Sequence, residues 1–222
     1  MLLACVVPDS WLIHLILSPS IASAATTPGQ VIRVDLVNFT ESSVSVILLP
    51  LGENDLQSAV IDTVAGYAYF GTNTSPGQVV KIDLLSFSRS DSLTLANGEN
   101  GLQTAVIDVA HNYAYFGTNT SPGRVVKINL GTFTKVAVLS LGSGNNFLQS
   151  SVLDPIGMHA YFGTYTKPGR VVKINLNTFT LNSTLVLGSP QDYLSTAVID
   201  YENQFAYFGY VANFVLSDRL ID

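Results

Sequence analysis

The chain is poor in the residues that most chemistry requires. Among its 222 residues there is one cysteine, Cys5, so the sequence beyond it has no disulfide framework, no CxxC pair and no thiol nucleophile. Stability must come from packing. The three histidines, His14, His111 and His159, share no common position and lack Cys or carboxylate partners at zinc-ligand spacing, so no histidine-built metal site and no cofactor is expected. Only 12% of residues are charged, the net charge is −6 and no Lys/Arg cluster occurs, which excludes nucleic acid as a partner. No apolar run is long enough to cross a bilayer, so no transmembrane segment is expected.

Strict internal repetition is present instead. Ser-Ala-Val-Ile-Asp at 58–62 returns as Thr-Ala-Val-Ile-Asp at 104–108, Ser-Ser-Val-Leu-Asp at 150–154 and Thr-Ala-Val-Ile-Asp at 196–200, each shift being 46 positions. The same step carries Ala-Tyr-Phe-Gly at 68–71 to 114–117, 160–163 and 206–209, and Pro-Gly-Gln-Val-Val-Lys-Ile at 76–82 to two Pro-Gly-Arg-Val-Val-Lys-Ile copies. A period in this range made only of strand-like pieces predicts an all-β fold, a β-propeller of four-stranded blades.

Within one repeat, residues 59–62, 67–72, 79–84 and 88–96 read as four strands. Pro76-Gly77 predicts a type II turn between the second and third, with Pro presetting φ and Gly taking a positive φ. Tyr67 and Tyr69 alternate with Ala68 and Phe70, so both faces of the second strand are apolar and both need covering, as between neighbouring blades. Gly71 and its copies suit a bulge or the close approach of a neighbouring blade.

Residues 58–103, 104–149 and 150–195 form whole blades, residues 28–57 the outer half of a blade, and 196–222 an inner half, about four blade equivalents in a domain over 25–222. The complementary halves predict closure into a composite blade. They fit equally a junction between two chains, that is, self-association through half blades, or a fragment of a longer propeller.

Two polar positions recur: Asp62, Asp108, Asp154 and Asp200, and Lys81, Lys127 and Lys173, with Arg33 in the first copy. A channel-lining ring is one reading. The other, preferred here, is structural, with each Asp capping a turn and each Lys lying along a blade edge. Loops between blades vary on a fixed frame and are the candidate binding positions: Glu53, Asn54 and Asp55; Glu99 and Asn100; Asn145, Asn146 and Phe147; Gln191, Asp192 and Tyr193.

The first 24 residues read as a signal peptide, with the apolar run Trp11–Leu17 followed by small residues up to Ala24. Sequons at Asn38, Asn73, Asn119 and Asn182 suit glycosylation outside the cell.

Ala-Tyr-Phe-Gly-Thr at 68–72 and 114–118, followed by Val-Val-Lys-Ile, resembles the YVTN-type β-propeller repeat over residues 28–210, although the Tyr-Val-Thr-Asn tetrapeptide itself is absent and the blade count is below that family's usual one. The resemblance implies a secreted or cell-surface propeller used for binding, adhesion or assembly, with a protein or glycan ligand. No nucleophile–base pair stands out, so the expected function is non-catalytic and no catalytic residue is assigned. The competing expectation is a propeller lyase or lactonase with a metal at its channel mouth, for which Glu53, Glu99 and Asp192 are the acids available.

Overall fold

The structure, a computed structural model, describes residues 28–211; the signal peptide expected over 1–24 and the residues after 211 lie outside the described residues. A first hairpin pairs β1 (Gln30–Val34) with β2 (Val44–Leu48). Three four-stranded antiparallel sheets follow. They comprise β3 (Leu56–Asp62), β4 (Tyr67–Thr72), β5 (Gln78–Asp83) and β6 (Ser88–Thr94); then β7 (Leu102–Asp108), β8 (Tyr113–Thr118), β9 (Arg124–Asn129) and β10 (Thr134–Ser140); then β11 (Leu148–Asp154), β12 (His159–Thr164), β13 (Arg170–Asn175) and β14 (Thr180–Val186). A last hairpin pairs β15 (Leu194–Asp200) with β16 (Phe205–Tyr210). The innermost strands β3, β7, β11 and β15 stand side by side, so the sheets are arranged as successive propeller blades.

The core lies between the sheets. Tyr69 and Val79 of one blade enclose Ala114, Phe116, Val126 and Ile128 of the next, and Tyr115 and Val125 repeat this against Ala160, Phe162, Val172 and Ile174. A blade therefore buries its second apolar face only when a neighbour is present, which is why the sequence alternates aromatic and aliphatic residues without a polar face. Desolvation pushes the Tyr69 hydroxyl up to about 12.

Glycine sets the spacing. In each pairing of first and second strands the register shifts opposite the repeated glycine, at Leu56/Ser58 opposite Gly71 for example. A Cβ on Gly71 would lie 2.7 Å from the Leu102 Cβ of the next blade. The bulge and the close approach thus occur together, and Ser58 Oγ uses the proximity to donate to the Leu102 carbonyl at 2.7 Å.

The turn between second and third strands differs from the expected type II turn. Its Ser75–Pro76, Ser121–Pro122 and Lys167–Pro168 bonds are cis, and Gly77, Gly123 and Gly169 do not take a positive φ. A hydroxyl relay closes it instead: Thr72 and Thr74 share a 2.6 Å contact, Thr74 donates to the Pro76 carbonyl, and the Gln78 amide donates to Thr72 Oγ1. Gly77 is required for space, since its Cβ would sit 2.8 Å from the Glu99 carbonyl of the following loop.

At the opposite ends of the strands, aspartates accept turn amides. Asp62 accepts from Val64 and Ala65, Asp108 from His111, Asp154 from Ile156 and Gly157, and Asp200 from Asn203. Asp154 is buried, so Asp154→Ala is expected to cost about 1.5–3 kcal/mol through its lost charge-assisted bonds, read as a lower denaturation midpoint at unchanged slope.

The ends do not join. β1–β2 and β15–β16 form separate two-stranded sheets rather than the composite blade expected from their complementary sequences. The described residues thus form three whole blades and two half blades set at the two ends of the array, and the unmatched faces are exposed.

Candidate functional site

The loops that join one blade to the next, residues 53–55, 99–101, 145–147 and 191–193, gather at one end of the array together with the turns after β4, β8 and β12. The structure separates their residues into two groups. The first points inward. Glu53, Glu99, Asn145 and Asp192 are buried, and each has a partner. Both guanidinium-side nitrogens of Arg89, on β6, bind Glu53, with Nε at 2.7 Å from Oε2. Lys135, on β10, reaches Glu99 at 2.8 and 3.0 Å, and Lys167 reaches Asp192 at 3.2 Å.

Asn145 occurs where Leu181 replaces the cation, and its amide donates to the Leu141 carbonyl at 2.8 Å and to Thr184 Oγ1 at 3.3 Å. At the repeat position shared by Glu53, Glu99 and Asn145 the variation therefore follows the partner on the next blade's outer strand: acid with cation, amide with hydroxyl. Burial raises the Glu53 carboxyl, but hydrogen bonds from Arg89 and Ser92 and the charge of Arg89 outweigh it and hold it below its ordinary value.

The second group points outward. Asp55, Gly101, Phe147 and Tyr193 occupy one repeat position, all in left-handed backbone with φ between 53° and 59°. The carbonyl of each accepts from the residue that ends or follows the neighbouring second strand: Asn73, Asn119, Tyr165 and Val211, respectively. The amides of Gly101, Phe147 and Tyr193 donate to Thr74, Thr120 and Thr166 carbonyls at 3.0 Å. Two backbone bonds thus hold a side chain away from the blade.

At the first of these positions the exposed side is polar. Asn73 donates to Asp55 Oδ2 at 2.8 Å and accepts from Gln103 at 2.7 Å, so this sequon amide is engaged. Toward β15 it becomes aromatic: Tyr165 and Tyr193 pack with ring centroids 4.9 Å apart, Phe147 sits one blade earlier, and both Phe147 and Tyr165 are exposed. Beneath them the acceptors Asn100 Oδ1, Asn145 Oδ1, Asn146 Oδ1 and Asp192 Oδ1 are buried with no hydrogen-bond partner among the described residues. Asn54 also lies on these loops, and Gln191 is exposed with its carbonyl accepting from Gly169. Tyr165 was missed by the sequence reading, because it lies outside the blade-connecting loop; the signal was its replacement of Asn73 and Asn119 at the same repeat position.

The recurring cations serve the blade interface. Lys81 Nζ lies 3.7 Å from the Tyr67 ring centroid and 5.5 Å from that of Phe133 on the next blade; Lys127 repeats this over Tyr113 and Phe179. Arg33 lies 4.4 Å from the Phe87 ring. Among the described residues, no group of three or more His, Cys, Asp or Glu side chains is placed to hold a metal ion, and no helix is long and apolar enough to cross a membrane. His111 Nδ1 pairs with Asp108 at 2.8 Å, and His14 lies outside the described residues.

No protein-family model matches the chain, and no curated protein matches it. Solved structures do. Hydrazine synthase of Kuenenia stuttgartiensis is similar over 82% of this chain and 54% of its own, at 12% identity and TM-score 0.64. The Cps50 (Swd1) β-propeller domain of Myceliophteria thermophila is similar over 83% of this chain and 57% of its own, at 14% identity and TM-score 0.63. The RRP9 WD40 repeats share 10% identity over 64% of this chain and 41% of theirs, at TM-score 0.54. The chain folds as β-propeller blades and spans about half the length of the structures it matches.

Proposed function

We propose that the chain is a non-catalytic, secreted or cell-surface propeller that holds a protein partner on its blade-connecting end, with Phe147, Tyr165 and Tyr193 as anchors. The observation that carries this is the left-handed backbone of Phe147 and Tyr193, where the sister position has Gly101. A bulky residue there costs about 1–3 kcal/mol, so an exposed aromatic kept at that cost is better explained by contact outside the chain than by packing within it. Phe87, Phe133 and Phe179 also take positive φ, but Phe133 and Phe179 have their rings against Tyr69 and Tyr115 of the preceding blade. Phe147 has no such ring contact among the described residues, and Tyr193 stacks on Tyr165, which is itself exposed. Tyrosine presents a large rigid face with a polar tip, the chemistry enriched at the centre of protein interfaces.

The acids that a channel-mouth metal site would need support the non-catalytic reading, because Glu53, Glu99 and Asp192 are each already neutralised by a cation. Kinship with YVTN-type propellers and an extracellular location rest on the repeat sequence, the apolar run before Ala24 and the sequons, of which Asn182 is exposed on the outermost strand of its blade. The test is selection of displayed random peptides against the immobilised full chain. Enriched peptides should lose at least about tenfold in affinity, roughly 1.4 kcal/mol, against the Tyr165→Ser/Tyr193→Ser double variant at unchanged melting temperature. Failure to enrich any binder, or equal binding to the variant, would refute the proposal.

A further inference from the structure

We propose that a second copy of this chain seats on the two end hairpins, β16 of each copy adding edge to edge to β1 of the other, so that two copies close one eight-bladed ring. This goes beyond the binding face and uses different surfaces. Each end hairpin is the half of a blade that the other lacks: β15–β16 carries the first two strands and β1–β2 the last two.

The register follows from the whole blades. In β4–β5, Tyr67 faces Asp83, Tyr69 faces Lys81, Phe70 faces Val80 and Gly71 faces Val79. Carried over by the repeat, Phe205 faces Asp35, Tyr207 faces Arg33, Phe208 faces Ile32 and Gly209 faces Val31 of the other copy.

Three observations show that each half is missing the other. Lys81 and Lys127 lie between tyrosines of their own blade and a phenylalanine of the next, whereas Arg33 has only the second of these partners, Phe87. Phe205 and Tyr207 have the converse deficit, with no cation over their rings among the described residues. Phe116 and Phe162 are fully buried, but Phe70, which follows only a half blade, is not, and a groove lined by Val31, Ile32, Ala59 and Phe70 runs where an inner hairpin would lie. At the other end Val198 and Tyr207 are 66% and 56% exposed, although their counterparts Val60 and Tyr69 pack into the core between blades.

Stoichiometry agrees. The described residues form four blade equivalents whose end hairpins stay in separate sheets; two copies supply eight, within the range that closes as a ring. A two-fold axis makes both junctions identical and leaves neither β1 nor β16 with an unpaired edge, a protection of sheets against further pairing.

The test uses the full chain with Cys5 replaced by serine. Light scattering should give twice the 23.8 kDa chain mass. Mixing an Ile32→Cys chain with a Phe208→Cys chain should give a covalent dimer on oxidation, since cross-strand Cα separations suit a disulfide, whereas Ile32→Cys with Tyr207→Cys, one residue out of register, should not. Tyr207→Arg, which places like charges opposite each other, should weaken the dimer at least tenfold while the circular dichroism of the β-sheet is retained. A monomeric mass, a disulfide formed only within one Ile32→Cys/Phe208→Cys chain, open polymers, or a dimer indifferent to Tyr207→Arg would each overturn the proposal.

Discussion

Phe116→Ala is expected to destabilise the protein by about 3–5 kcal/mol, the full cost of emptying a site that cannot collapse. Phe116 is wholly excluded from solvent, enclosed by Tyr69 and Val79 of the preceding blade and by Val126 and Ile128 of its own. The same substitution at Phe70 removes a ring that is only partly covered, because a half blade rather than a whole one precedes it. Its cost should be smaller, in proportion to the area it hides. Denaturant unfolding of the two variants measures the difference directly; equal losses would mean that the first hairpin covers Phe70 as completely as a whole blade covers Phe116. Because the repeats contact only their neighbours, the Phe116 variant is also expected to broaden the transition, with the two sides of the damaged junction losing cooperativity.

Arg89→Ala should cost about 3 kcal/mol near neutral pH, although it removes a residue that is itself partly exposed. The loss comes from Glu53, whose carboxylate stays buried without its cation. Glu53 is held below its ordinary value of 4.5 in the folded chain, so the pair's contribution is present above that pH and is lost as pH falls through the folded value. In the variant the Arg89 bonds and charge are gone while burial remains, so the carboxyl is pushed upward and protonation relieves it. The difference in stability between wild type and variant should therefore shrink toward about pH 4; a constant difference would show that Arg89 acts through its hydrocarbon stem.

The third blade supplies the rescue. Asn145, Leu181 and Thr184 occupy the positions of Glu53, Arg89 and Ser92, so Glu53→Asn/Arg89→Leu/Ser92→Thr should recover most of what Arg89→Ala loses, as swapping a whole buried pair for a matched neutral set commonly does.

These two sites differ in how far the sequence revealed them. Tyr69 and Phe70 recur one 46-residue step on as Tyr115 and Phe116, so an apolar strand with two faces to cover, and hence a blade, was legible from the pattern. The Glu53–Arg89 pair was not. Its members lie 36 residues apart, on a loop and an outer strand, and nothing in the period links those two positions. Read alone, the loop's changing residues suggested surface recognition; only the partner across the interface shows that Glu53, Glu99 and Asn145 change with Arg89, Lys135 and Leu181.

Phe147 came from the same loops and does reach the surface, because the left-handed residue turns outward two places after the buried Asn145 turns in. The proline–glycine turn was misread for a related reason: the turn is closed by threonines at 72 and 74, outside the dipeptide that signalled it, and glycine is needed there for a neighbour's backbone.

The buried latch also bears on how such an array changes length. Glycine approaches and cation–aromatic contacts between blades join equivalent positions, so a unit gained or lost by recombination between repeats leaves them intact. The pairing of Glu53 type instead keeps account of order. Loss of residues 58–103 would bring Glu53 against Lys135, another cation, and the junction survives; loss of 104–149 would bring Glu99 against Leu181 and bury a lone carboxylate. A repeat protein whose modules look interchangeable thus has, at one position per junction, a rule about which module follows which.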